Sequence, residues 1–137
     1  MGHATLRQEL RELALVAGGA IPGALLRWQL EGAGSAWIGG LKGLIEGDFV
    51  ANMAGCLVLG LLLGWRRPGA RLMLWGAIGF CGSLTTFSSW MLELVRALDR
   101  GDGGASLRVL LTSLVGGLAL VSLGRWLGAQ LEQQTTN

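Results

Sequence analysis

Asn52 stands in an otherwise apolar stretch, four residues after Asp48 and three before Gly55. A primary amide in lipid costs several kcal/mol unless it is hydrogen-bonded, so this one must face protein or water. Its two N–H donors could partly replace the hydration shell of an anion, or the amide could join two helices. Downstream, residues 79–90 pack two glycines and the hydroxyls of Ser83, Thr85, Thr86, Ser88 and Ser89 into twelve positions, with aromatic rings at Phe87 and Trp90. Backbone carbonyls at a helix break suit a cation such as Na+, whereas the positive edge of an aromatic ring can meet an anion. The same hydroxyls could simply cap the break. Arg27 could attract anions or extend its head to the membrane surface. Thr112 and Ser113 fall where a hydroxyl can bond the carbonyl one turn back, and Asp48 and Glu93, near the ends of apolar stretches, are expected to be wet or paired.

The elements that position these groups are hydrophobic. Of 137 residues 51% are apolar and only 15% charged, against roughly 25% charged in soluble domains. Four uncharged windows, at residues 13–26, 49–65, 72–92 and 109–124, cover about half of the chain. A bilayer core needs roughly 20 mostly apolar residues per helix, and an Arg at a window's edge can reach the interface. One transmembrane domain over residues 1–137 is predicted, an all-α integral membrane fold with four helices at about 13–30, 44–65, 70–98 and 105–128.

Residues 1–12 mix Arg7, Glu9, Arg11 and Glu12 with leucines and read as a short interfacial helix leading into the first span. A cleaved signal peptide fits less well: the flank carries both signs, and Arg27 and Trp28 follow where small residues would mark a cleavage site. Pro22 among Gly18, Gly19 and Gly23 predicts a thin, kinked first helix. Residues 31–43 read as a Gly- and Ser-rich connection with Trp37 as an interfacial anchor. Unwound backbone is tolerated at membrane depth only where protein or water satisfies its polar groups, so the third span reads as a broken helix. Residues 99–104 form a turn. Glycine reaches 24 residues, and Gly60 with Gly64 and Gly124 with Gly128 have the four-residue spacing of close helix contacts.

Composition excludes several classes. The only His is His3, Tyr is absent, and Cys56 and Cys81 sit in separate apolar windows, as small packing residues in preference to a disulfide, so no metal-ligand spacing is formed. A scattered net charge of +2 offers nothing to nucleic acid. No glycine pattern ends in the Lys-Ser or Lys-Thr of a phosphate loop. Four spans place Arg7, Arg11, Arg66, Arg67, Arg71 and Arg125 on one face and Arg27, Lys42, Arg96, Arg100 and Arg108 on the other. Orientation normally follows an excess of Lys and Arg on the cytoplasmic side. Six against five gives almost no bias, unless charges at span edges are assigned to the wrong face. Either orientation is then accessible, and two opposed copies can form an antiparallel dimer equivalent to an inverted repeat.

Read together, Gly18 to Trp28 (GGAIPGALLRW), Asn52 to Gly55 (NMAG) and Gly79 to Ser88 (GFCGSLTTFS) resemble the Fluc/CrcB family of fluoride channels, in order and spacing across all four spans. The last motif is the most specific. The resemblance implies a non-enzymatic fluoride channel in the cell (inner) membrane, built as a dual-topology homodimer, or a heterodimer with a paralogue, with a structural Na+ at its centre. Gly82 and Thr85 would hold Na+ through backbone carbonyls. Asn52, Thr86, Phe87, Trp90 and Ser113 would line the fluoride pathway, with Arg27 near its aqueous entrance. Trp90 stands where the family usually has a second phenylalanine and Asp48 where threonine is common, while Ser83 replaces a frequent glycine, Pro22 interrupts the first motif and Gly117 lacks a hydroxyl found in some members.

Passive efflux needs no energy source: protonated fluoride crosses the bilayer, ionises in the cytoplasm and leaves through the channel. A small proton-coupled multidrug exporter is the chief rival, but that chemistry needs a membrane-embedded carboxylate, and the first window has none. A non-conducting subunit that pairs with a paralogue is the third possibility.

Overall fold

The computed structural model describes residues 2–37, 47–65 and 68–135. Helix α1 runs from Gly2–Trp37 and α2 from Gly47–Gly64; α3 covers residues 70–84, α4 Ser88–Asp99 and α5 Gly103–Thr135. Three apolar stretches, Thr5–Gly32, Ala70–Asp99 and Gly103–Gln134, are long enough to cross a membrane, and Asp48–Gly64 is a shorter apolar helix. Residues 44–46 of the expected second span lie outside the described residues, as do Lys42, Arg66 and Arg67 from the charge balance.

Two expectations are corrected at the first helix. No boundary separates an interfacial helix from the first span, and the helix continues past residue 31 to Trp37, so the connection is shorter than its Gly and Ser content suggests. The reason is local: residues 31–37 contain no proline, and isolated glycines weaken a helix by only about 1 kcal/mol each. Pro22 lies inside this helix. At a 1.5 Å rise per residue its 36 residues span roughly 54 Å, well beyond a core of about 30 Å.

Glycine sets the packing. A Cβ on Gly19 would run into the Trp75 carbonyl, and one on Gly23 into the Phe80 carbonyl and Ser83 Oγ. The backbones of α1 and α3 thus touch, in parallel. The second contact is the same in kind: a Cβ on Gly60 would meet the Val121 carbonyl, and one on Gly124 would lie 2.9 Å from the Gly60 Cα. Here α2 and α5 run parallel. The α2 and α3 helices cross antiparallel, with Gly76 against Leu62 at one end and Gly55 against Thr85 at the other. The result is two parallel, glycine-joined pairs laid against each other in opposite directions.

The third hydrophobic stretch is broken at residues 85–87. Thr85 leaves the helix in extended backbone (φ −82°, ψ 150°), and α4 restarts after Phe87. Met73–Cys81 adopts a π-helical register, which periodicity does not announce. Such registers are rare and occur most often at functional sites. After α4 the chain turns at Gly101, whose φ of +72° only glycine adopts easily. Asp102 Oδ1 then accepts the Ala105 N–H at 2.8 Å and caps α5.

Little is buried. Among the described residues the buried apolar side chains are Ala51, Cys81, Leu84 and Ala97, while Leu118 is 70% exposed and Trp28 69%. The accessible surface is 9492 Å²; a compact soluble chain of 14.4 kDa would show roughly 6,800 Å². An apolar surface of this extent needs lipid or another protein against it. If glycine contact holds the pairs together, Gly19→Ala should lower the thermal midpoint in detergent, at a cost of about 2 kcal/mol from overpacking. Gly32→Ala, with nothing near its Cβ, should not lower it, because alanine favours the helix over glycine.

Candidate functional site

The break in α3 is held from the neighbouring helix. Asn52 Oδ1 accepts the Thr86 backbone N–H at 2.7 Å, and Asn52 Nδ2 donates to the Thr86 carbonyl at 3.0 Å. One amide side chain thus satisfies both backbone groups of a residue that has left the helix, which otherwise would stay unpaired at membrane depth. The other consequence falls on Gly82. In a continuing α-helix the Thr86 N–H would bond the Gly82 carbonyl, but it donates to Asn52 instead. Thr85, in extended backbone, carries its own carbonyl away from the helical ladder.

The hydroxyls divide into two groups. Ser83 Oγ donates to the Ala20 carbonyl at 2.9 Å, tying α3 to α1, and Thr85 Oγ1 bonds back to the Cys81 carbonyl at 2.9 Å. These two do what capping and helix-joining hydroxyls do. Thr86 Oγ1, by contrast, lies 3.2 Å from Ser88 Oγ and 3.5 Å from Ser89 Oγ, a hydroxyl cluster at the start of α4. Thr112 bonds the Arg108 carbonyl one turn back, as expected.

A groove of about 470 Å³ opens beside the break. Asn52, Gly82, Thr85, Thr86, Phe87, Trp90 and Ser113 all line it, so every expected site residue except Arg27 is brought together from α2, α3, α4 and α5. The rest of the lining is apolar or weakly polar, including Met53, Cys56, Leu59 and Cys81. Phe87 is 70% exposed, and its ring lies 5.4 Å from that of Trp90, tilted by 53°. The Trp90 Nε1 is buried with no hydrogen-bond partner. Such a wall offers a few donors and ring edges in an apolar setting, which suits a small anion that sheds water. Cys56 and Cys81 are free thiols in this wall, as their expected packing role requires.

Arg27 lies apart from the groove and pairs with Glu31 at 3.7 Å on a partly exposed surface. Asp48 lies beside Glu31. Sequence reasoning missed this proximity because the two acids flank different windows. The Asp48 Oδ1 is buried without a hydrogen-bond partner, where the sequence reading expected a wet or paired carboxylate. That reading also took both N–H donors of Asn52 as available to an ion, whereas Thr86 occupies one. The available signal was the coincidence of two unmet needs, an amide and an unwound segment at the same membrane depth.

Comparison with known proteins bears on most of the chain. Residues 14–125 match the family described as CrcB-like protein, Camphor Resistance (CrcB). A protein named Fluoride-specific ion channel FluC 2, from Parasynechococcus marenigrum (strain WH8102), is 47% identical over 127 residues, covering 92% of this chain and 87% of that protein. Fluoride-specific ion channel FluC from Haemophilus influenzae (strain PittEE) is 37% identical over 122 residues, covering 86% and 93%. Fluoride-specific ion channel FluC 1 from Prochlorococcus marinus is 32% identical over 124 residues, covering 90% and 87%.

If Asn52 holds the break, Asn52→Ala should speed hydrogen exchange at the Thr86 amide by about one to two orders of magnitude, the cost of an unmet buried hydrogen bond. Exchange in the middle of α5 should not change.

Proposed function

The chain belongs to the CrcB-like family, and from that premise we propose that it is a fluoride-selective channel giving passive efflux of fluoride from the cytoplasm. The observation that carries the reading is the groove at the helix break, where one amide, a hydroxyl cluster and two aromatic rings converge. Its relatives bear the name fluoride-specific ion channel. Fluoride is small and strongly hydrated, so a path that favours it must return in hydrogen bonds what hydration loses. The second Asn52 N–H and the hydroxyls of Thr86 and Ser113 are donors for that exchange, and the edges of Phe87 and Trp90 add positive electrostatic potential without competing protons. Arg27, paired with Glu31, serves at an aqueous entrance and not in the narrow path.

The pathway needs four spans, with Asp48–Gly64 and the residues just before it forming the shortest. It also needs a second wall, because one chain leaves the groove open and its apolar faces bare. An antiparallel, dual-topology homodimer in the inner cell membrane meets that need, and the nearly even charge balance supports it. Relatives named FluC 1 and FluC 2 make a paralogue the other partner to test. A structural Na+ fits the donor set at the break: the Gly82 and Thr85 carbonyls are hard oxygen ligands, and Asn52 takes the N–H that would otherwise bond Gly82. When bound, Na+ would supply a fixed positive charge among carbonyl dipoles.

Liposomes containing this chain alone should release fluoride much faster than chloride. Comparable chloride flux would refute the assignment, and flux appearing only after a paralogue is added would replace the homodimer with a heterodimer. Asn52→Asp should reduce fluoride efflux at least about tenfold, because the carboxylate removes donors and repels the anion. Phe87→Ile should also reduce efflux without loss of folded protein. Unchanged flux in both variants would return these residues to a packing role.

A further inference from the structure

At the opposite end of α1 from Arg27, the first turns of α1 and α3 enclose a second concavity, of about 570 Å³. Arg7, Arg11 and Arg71 line it together with Glu12, and Leu15 and Leu74 lie further in. Arg7, Arg11 and Leu15 repeat every four residues on one face of α1, and Arg71 and Leu74 are one turn apart on α3. Both helices thus present guanidinium groups outward and leucines inward. Glu12 accepts a hydrogen bond from Gln8 at 2.9 Å. Among the described residues, ion pairs join Arg27 to Glu31 and Arg108 to Asp102, and none involves Arg7, Arg11 or Arg71.

Three cations against one carboxylate, above an apolar floor, define the ligand by charge and by shape. Since α1 is far longer than a bilayer core is thick, its first turns fall at the depth of the lipid headgroups. We propose that this groove holds an anionic phospholipid, with the phosphate among Arg7, Arg11 and Arg71 and the first acyl carbons against Leu15 and Leu74. Guanidinium suits phosphate because its planar fork can donate two parallel hydrogen bonds. The leucine floor distinguishes a lipid from free phosphate, which gains nothing from apolar contact. In an assembly of oppositely directed copies each leaflet would contribute one such lipid, clamping the entry of α1 to that of α3.

Native mass spectrometry of the detergent-purified full chain, titrated with phosphatidylglycerol, phosphatidylcholine or inorganic phosphate, tests this. Phosphatidylglycerol should bind at one site per chain, and phosphatidylcholine should bind at least about tenfold more weakly. Arg11→Gln and Arg71→Gln should each weaken the phosphatidylglycerol site by about fivefold, as expected for one basic group near an anionic headgroup. Arg125→Gln, at the same end of the bundle but outside the groove, should leave it intact. Equal binding of the two lipids, displacement by equimolar inorganic phosphate, or an equal loss in Arg125→Gln would each overturn the proposal. The readout is lipid retention and does not depend on fluoride flux, so this inference and the channel assignment can fail separately.

Discussion

The pair of hydrogen bonds between Asn52 and the backbone of Thr86 is the constraint on which the rest of the molecule depends. A helix broken at membrane depth exposes donors and acceptors where no water is assured, and each unpaired group is costly. One primary amide, carrying both a donor and an acceptor, answers an N–H and a C=O at once. No hydroxyl could match both groups in that geometry, and a carboxylate would supply only acceptors. The same contact diverts the Thr86 N–H from the Gly82 carbonyl, so satisfying one part of the break releases an acceptor in another.

Close packing around the break comes from residues without side chains. In lipid there is no hydrophobic force between apolar helices, and association rests on van der Waals contact and hydrogen bonds. Glycines at 19 and 23 bring α1 onto α3 closely enough for Ser83 to reach the Ala20 carbonyl. Glycines at 60 and 124 do the same for α2 and α5. The groove lies where the two pairs meet, with one wall from each. Its polar groups are therefore set by the two helix pairs and by the break that Asn52 pins.

The charged side chains follow a different logic. Arg27 pairs with Glu31, and Asp48 lies beside Glu31 where α1 and α2 are neighbours. At the other end, Arg7, Arg11 and Arg71 have no comparable partner among the described residues. The surface between these ends exposes many large apolar side chains, with far more total area exposed on the chain than a water-soluble chain of this mass would show. An apolar environment, lipid or another protein, is required for this sequence to be stable.

Sequence by itself determined that the chain is helical and apolar, and it pointed to residues that the fold gathers around one groove. Long uncharged windows required apolar surroundings, a run of glycines and hydroxyls at 79–90 could not continue a lipid-facing helix, and Asn52 had to face something polar. These conclusions need only solvation energies and the lengths of segments. Where α1 begins and ends was not legible, because a helix does not register the membrane boundary and isolated glycines do not stop it. The π register at Met73–Cys81 left no trace in periodicity. Only the tertiary structure decided which of the two expected partners Asn52 finds, that Ser83 and Thr85 serve backbone contacts while Thr86 joins the hydroxyl cluster, and that Arg27 stands apart from the groove. Asn52 and Ser83 find partners more than thirty positions away, and local composition carries no information about which distant groups a fold will bring within about 3 Å.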